Sequence, residues 1–98
     1  MSTGYHPEAS AELIEAARYY HKREPGLGSR FLDEVDAAVN RIEEAPERWP
    51  MQEGEYRRYS IRVFPYFIAY RITGSDIEVL AVYHHSREPD AWKHRLDF

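Results

Sequence analysis

The apolar residues of this chain recur with one period in its first half and with another in its second. From Ala9 to Ile42 they return every three or four positions, and from Arg57 to His84 they alternate. A spacing near 3.6 puts side chains on one stripe of a helix, and a spacing of two puts them on one face of a strand. A chain that makes this switch once is expected to fold as helices followed by sheet, an α+β arrangement.

Ala9, Leu13, Ala16, Ala17 and Tyr20 line the stripe of a helix expected over residues 7–24. Pro7 suits its first turn, where the missing N–H costs nothing, and Glu8 complements the helix dipole there. Tyr20 extends the stripe and Tyr19 falls at its border, while Pro25, Gly26 and Gly28 punctuate its end. Phe31, Leu32, Val35, Ala38, Val39 and Ile42 repeat the pattern over residues 28–45, ahead of Pro46. So short a connection makes the pair an antiparallel hairpin. Residues 46–56 read as a loop in which Trp49 plugs one end of the core. Strands are expected over 57–61, 63–72 and 76–84, with a turn at Thr73-Gly74-Ser75, forming an antiparallel meander. The third strand is apolar on both faces at Val79, Leu80, Ala81 and Val82, so it must be central or covered by the hairpin. Residues 88–95 form one or two helical turns. The fold class is a helical hairpin packed on a small antiparallel β-sheet, closed by a short C-terminal helix, in a single domain over 1–98.

The 98 residues, 43% hydrophobic and 14% aromatic, are enough for one packed core. Without cysteine the chain has no disulfide framework and no thiolate zinc site. Residues 1–8 lack a basic-then-apolar signal pattern, and the longest apolar run, Val63 to Tyr70, contains Pro65 and is far shorter than the roughly 20 residues of a membrane span. A cytoplasmic protein with no membrane partner is expected. The net charge of −4 argues against direct DNA binding, because phosphate contacts supply most of that affinity. The basic residues nevertheless gather late: the segment 56–98 holds seven Lys and Arg against five acids. A protein partner is the first expectation.

Tyr83-His84-His85-Ser86-Arg87 is the densest polar cluster, at the end of the last strand. Neighbouring strand residues point to opposite faces, so His84 and His85 are poorly placed to share a metal, and neither metal nor cofactor is expected. Cleavage of RNA through its 2′-hydroxyl needs a base, an acid and cations on the developing charge. His84 or His85 could move protons while Arg58, Arg62 and Arg87 hold phosphate. The plainer alternative is that these arginines form surface ion pairs and one histidine packs at the strand end. Further on, Arg87, Trp92, Lys93, His94 and Arg95 make a local basic patch around a tryptophan. Trp and Arg are enriched at binding hot spots, which makes Arg87, Trp92, Lys93 and Arg95 the candidate target-binding set. The structural alternative has Trp92 closing the core and Arg95 capping the sheet edge.

The ordered set of Pro7-Glu8-Ala9, Glu12, Tyr19-Tyr20, Gly26-Leu27-Gly28, Phe31, Val35, Ile42, Phe64-Pro65-Tyr66, Ile68, Tyr70-Arg71, residues 77–82, His84, Arg87, Pro89, Trp92 and Arg95 resembles the RelE/ParE superfamily of type II toxin–antitoxin toxins. The resemblance is to its ParE-like, plasmid-stabilisation branch, and it runs from about His6 to Arg95. It implies an N-terminal strand before the hairpin, although residues 1–6 lack the alternating apolar residues such toxins place there. It also implies a cognate antitoxin that lays a C-terminal segment across the toxin, by a helix in the hairpin's apolar groove or by strand addition.

Two modes of action follow from the resemblance. RelE-type members cut mRNA on the ribosome, and ParE-type members poison DNA gyrase without being nucleases. The RelE-type set has lysines on the second strand, an arginine early on the third, and an arginine and a tyrosine near the C-terminus. Alignment on Tyr66 and Tyr70 puts Arg58 and Ser60 at the lysines, Phe67 at the third-strand arginine, His85 at the later arginine and Ala91 at the tyrosine. Phenylalanine cannot hold phosphate, so the expectation is a gyrase inhibitor that is not an enzyme. The alternatives are a ribosome-dependent mRNA endonuclease using Arg58, Arg62, His84, His85 or Arg87, and a non-toxic binding module that keeps the fold.

Overall fold

The structure is a computed structural model that describes residues 2–97. Strand β1 (Thr3–Tyr5) leads into helices α1 (Pro7–Arg23) and α2 (Leu27–Glu44). Strands β2 (Met51–Gln52), β3 (Tyr56–Ser60), β4 (Tyr66–Thr73) and β5 (Asp76–His84) follow, and a 3₁₀ helix over Lys93–Asp97 ends the fold. The five strands form one sheet in the order β1-β5-β4-β3-β2. β2 through β5 pair antiparallel, as the alternation predicts for β3, β4 and β5, whereas β2 lies within residues 46–56, expected to be a loop; β1 adds to the outer edge of β5 in parallel. The first strand is therefore present but only three residues long. Backbone pairing carries it, helped by a hydrogen bond from the Thr3 hydroxyl to the Glu43 carboxylate.

The hairpin packs its two stripes on one face of the sheet. Ala9 and Ala16 of α1 and Phe31, Val35, Ala38, Val39 and Ile42 of α2 bury against Ile68, Tyr70, Ile77, Val79 and Val82. The helices approach closely at Gly28, where a Cβ would lie 2.4 Å from the Ala17 carbonyl oxygen. Gly28 is thus inside α2 for close packing; the chain reversal belongs to Gly26, with φ at 88°. Trp49 leans on this core and on the Tyr59 ring, 4.9 Å away, at the end the sequence assigns it.

The pairing of β4 with β5 shifts register between Ala69 and Tyr70, so Ala69 faces Ala81 while Tyr70 faces Val79. Leu80 is the extra residue, and this bulge turns both Leu80 and Ala81 away from the helices. With Tyr56, Phe67, Ala69, Tyr83 and Trp92 they form a second core on the opposite face. The doubly apolar β5 is therefore covered by the hairpin on one side and by the C-terminal segment on the other.

Candidate partner-binding groove

The C-terminal basic residues divide sharply by role. Trp92 is 1% exposed, with its ring edge-on to Tyr56 at 4.6 Å between centroids. Arg95 is 4% exposed and donates two parallel hydrogen bonds to the Glu12 carboxylate, at 2.9 and 2.8 Å, and a third to the Leu80 carbonyl at 2.8 Å. Glu12 also accepts from the Val82 backbone N–H at 3.1 Å. Burial opposes the Arg95 charge, yet the bonds to Glu12 and the field of Glu8 hold its pKa above the usual arginine value. Lys93 is clasped by Asp90 and Glu53, which raise its pKa. His94 bridges to Glu8, at 3.0 Å. The structural alternative read from the sequence thus describes Trp92 and Arg95: one closes a core and the other caps a sheet edge. Of the expected target-binding set, Arg87 is the residue left exposed, with 54% of its side chain accessible.

The nuclease candidates do not gather at one site: Arg58 meets His85 on one side of the sheet, and His84 shares a groove with Arg87 on the other. His84 points to the helix side of the sheet, edge-on to Tyr66 at 5.0 Å, and its Nδ1 accepts from the Ser86 N–H at 3.0 Å. His85 points to the other side, where its Nδ1 accepts from Arg58 at 3.2 Å. Arg58 itself lies over the Phe67 ring, 3.9 Å from its centroid. Burial, then the Arg58 charge and His84, push the His85 pKa below its ordinary value. Arg62 stands exposed in the loop between β3 and β4.

A groove opens between α1 and the end of β5. Its inner part, about 330 Å³, has Glu12, Glu15 and Ala16 on one wall and Val82, His84 and Arg87 on the other. Its outer part, about 570 Å³, is lined by Tyr19, Tyr20, Arg23, Tyr66, His84 and Arg87, with Pro65 at its rim. Tyr19 is 53% exposed and carries the Arg23 guanidinium, which stacks on its ring and donates to its hydroxyl at 2.8 Å. Burial, then the neighbouring Tyr20, pushes the Tyr66 hydroxyl up to about 12, so it is a neutral donor at any physiological pH. The sequence analysis singled out Tyr19, His84 and Arg87 separately; only the fold brings them to one groove. A second depression lies on the outer face of the hairpin, where Ile14 and Leu32 are exposed above Ala17 and Gly28. This is the apolar hairpin groove expected from the sequence.

Comparison with known proteins agrees with this architecture. The family model for the ParE toxin of the type II toxin–antitoxin system parDE matches residues 4–89. Toxin ParE2 from two strains of Mycobacterium tuberculosis is 36% identical over 87 residues, covering 88% of this chain and 83% of the relative. A chain from the chromosomal ParDE toxin–antitoxin system of P. aeruginosa superposes with a TM-score of 0.75 at 17% identity, covering 86% of this chain and 95% of that one, and so shares the fold. A family match across most of the length, on a fold of this topology, places the chain in the ParE toxin family of type II toxin–antitoxin systems.

Proposed function

We propose that this chain arrests bacterial growth by inhibiting DNA gyrase, and that a cognate antitoxin keeps it silent. Membership of the ParE family supports the partnership. The observation that carries the mode of action is the ring of Phe67, which fills the third-strand position where the RelE-type nucleases have an arginine. Arg58 is stacked on that ring, and the histidines leave the strand on opposite sides of the sheet. A gyrase inhibitor works in the cytoplasm and needs no cofactor. Among the described residues, no helix is long and apolar enough to cross a membrane. Arg87 and the tyrosines of the groove are the proposed contact surface for the target, since Tyr and Arg side chains dominate interface energetics.

The second reading, ribosome-dependent mRNA cleavage, is favoured by one feature, the Arg58–His85 pair at 3.2 Å. A neutral imidazole beside a guanidinium is a plausible proton acceptor next to a phosphate site. The two readings separate by induction in a bacterium. Inhibition of supercoiling by purified gyrase, with intact mRNA, is the expected result. Codon-positioned cuts with normal supercoiling would replace it by the nuclease reading. Growth without either effect would leave a non-toxic binding module.

A further inference from the structure

We propose that Arg58, His85 and Arg87 grip the phosphate backbone of DNA that gyrase already holds, so that the toxin's target is the gyrase–DNA complex rather than free gyrase. The inference rests on the gyrase reading and deepens it, by giving part of the target surface to nucleic acid.

The sheet face turned away from the helices carries a row of rings and cations at one end. Phe67 of β4 and Tyr83 of β5 are register partners with ring centroids 5.7 Å apart, and both are buried in the second core. Each ring is covered by a guanidinium. Arg58 lies 3.9 Å from the Phe67 centroid, and Arg87, from the rim of the groove, reaches to 4.4 Å from that of Tyr83. The exposed His85 ring is 5.6 Å from Phe67. A guanidinium has five N–H donors in a rigid fork. Arg58 gives one to the His85 Nδ1, which puts the proton of the neutral imidazole on Nε2 as a further donor.

The charge of this row is less neutralised than that of the neighbouring 3₁₀ segment. Lys93, His94 and Arg95 each meet a carboxylate within 3.0 Å. Among the described residues Arg58 has a ring and a histidine for partners and no carboxylate, and Arg87 has only the 3.5 Å approach to Glu12. Burial, then the charges of Arg58 and His84, hold the His85 pKa down, as a positive local field does. Arg62 adds an exposed cation on the loop that follows β3.

Two occupants suit such a row, an acidic protein surface and a nucleic-acid backbone. A protein interface is built around an apolar centre. Phe67 and Tyr83 are 4% and 1% exposed, so the row offers charge without that centre. Cations set along a line match an anion that repeats along a line, as backbone phosphates do. The net charge of −4 opposes DNA binding by the toxin alone. Gyrase removes that obstacle by holding the DNA itself, and the toxin adds a local contact. DNA has no 2′-hydroxyl for the imidazole to activate, so the grip leaves the strand uncut.

Labelled toxin is titrated into gyrase alone and into gyrase loaded with a linear duplex, after inhibition of supercoiling has been measured. Affinity is expected to be at least about tenfold higher for the loaded enzyme, with the gain shrinking as salt rises. Arg58→Glu is expected to cost at least about tenfold on the loaded enzyme and less on free gyrase, with Arg58→Gln giving a smaller loss in the same direction. Arg30→Glu makes the same charge change on the exposed face of α2 and should stay within about twofold of the parent. Thermal melts of the variants identify any loss that comes from unfolding. Inhibition of supercoiling with equal affinity for free and loaded gyrase overturns the proposal, as does parent affinity in folded Arg58→Glu. An equal loss on both forms overturns it in favour of an acidic protein surface. Tight binding of a single-stranded oligouridylate by the toxin alone, lost in Arg58→Glu, overturns it in favour of RNA. If the toxin leaves supercoiling untouched, the gyrase reading itself fails.

Discussion

Replacing Arg95 by alanine is the sharpest test of how the C-terminal segment is held. The guanidinium and the Glu12 carboxylate are 5% and 11% exposed, and they meet through two parallel bonds at 2.8–2.9 Å. Removing one member of a buried pair costs about 3–5 kcal/mol, because the other charge stays desolvated. Glu12 retains the Val82 N–H and lies 3.5 Å from Arg87, which moves the expectation to the low end of that range. The Leu80 carbonyl also loses its donor. A loss of about 3 kcal/mol lowers the melting temperature of a domain this size by about 12–24 °C. The Glu12→Leu, Arg95→Met double variant removes both charges and leaves only the two backbone groups unpaired. It should therefore melt above Arg95→Ala, a non-additivity that reads out the pair directly. An Arg95→Ala melting temperature within about 3 °C of the parent, less than about 1 kcal/mol by the same conversion, would refute the reasoning and return Arg95 to the class of solvated surface ion pairs.

Trp92→Ala should cost about 3–5 kcal/mol in urea melts, since the ring is fully buried in the second core. Trp92→Phe should cost less, because it also removes an indole N–H that has no hydrogen-bond partner. Gly28→Ala should destabilise the hairpin by about 1–3 kcal/mol, its Cβ meeting the Ala17 carbonyl at 2.4 Å; unchanged denaturant midpoints would show that the helices can part at no cost. Because His85 has its pKa lowered from 6.5, the folded state favours its neutral ring. Its contribution to stability is complete above 6.5 and falls as the pH drops through that value, levelling off below the folded pKa. Melting temperatures followed from pH 8 to pH 5 should show a shallower decline in His85→Gln than in the parent.

The helices and the three long strands were legible because burial on one side imposes a period, and the period is written in residues such as Phe31, Val35 and Ile68. β1 was not, because Thr3-Gly4-Tyr5 is held by backbone pairing to β5, which leaves no apolar alternation to read. Gly28 looked like punctuation since its role depends on the backbone of a neighbouring helix. The basic C-terminal patch is the instructive case. A row of Arg, Trp, Lys, His and Arg has the composition of an interface, and composition cannot tell that Glu12, more than eighty residues earlier, lies opposite Arg95. One signal did point the other way. Leu80 and Ala81 make β5 apolar on the face the hairpin cannot reach, so another segment had to cover it, and Trp92 was the large apolar side chain available downstream.

The groove and the clamp share Glu12, and this sharing governs what mutagenesis of the site can establish. Glu12 caps the Val82 N–H, neutralises buried Arg95 and sits 3.5 Å from Arg87. Any substitution of Glu12 therefore loosens the C-terminal segment and alters the charge beside Arg87 at once, and lost toxicity in such a variant identifies neither cause. Arg87 is the better handle. Its exposed guanidinium stacks on Tyr83 at 4.4 Å and makes only the longer approach to Glu12, so its removal leaves the buried pair and the second core in place. Folding then depends on Arg95 and Trp92, and the proposed target contact on Arg87 with its tyrosine neighbours, although all three residues belong to the same basic segment of the sequence.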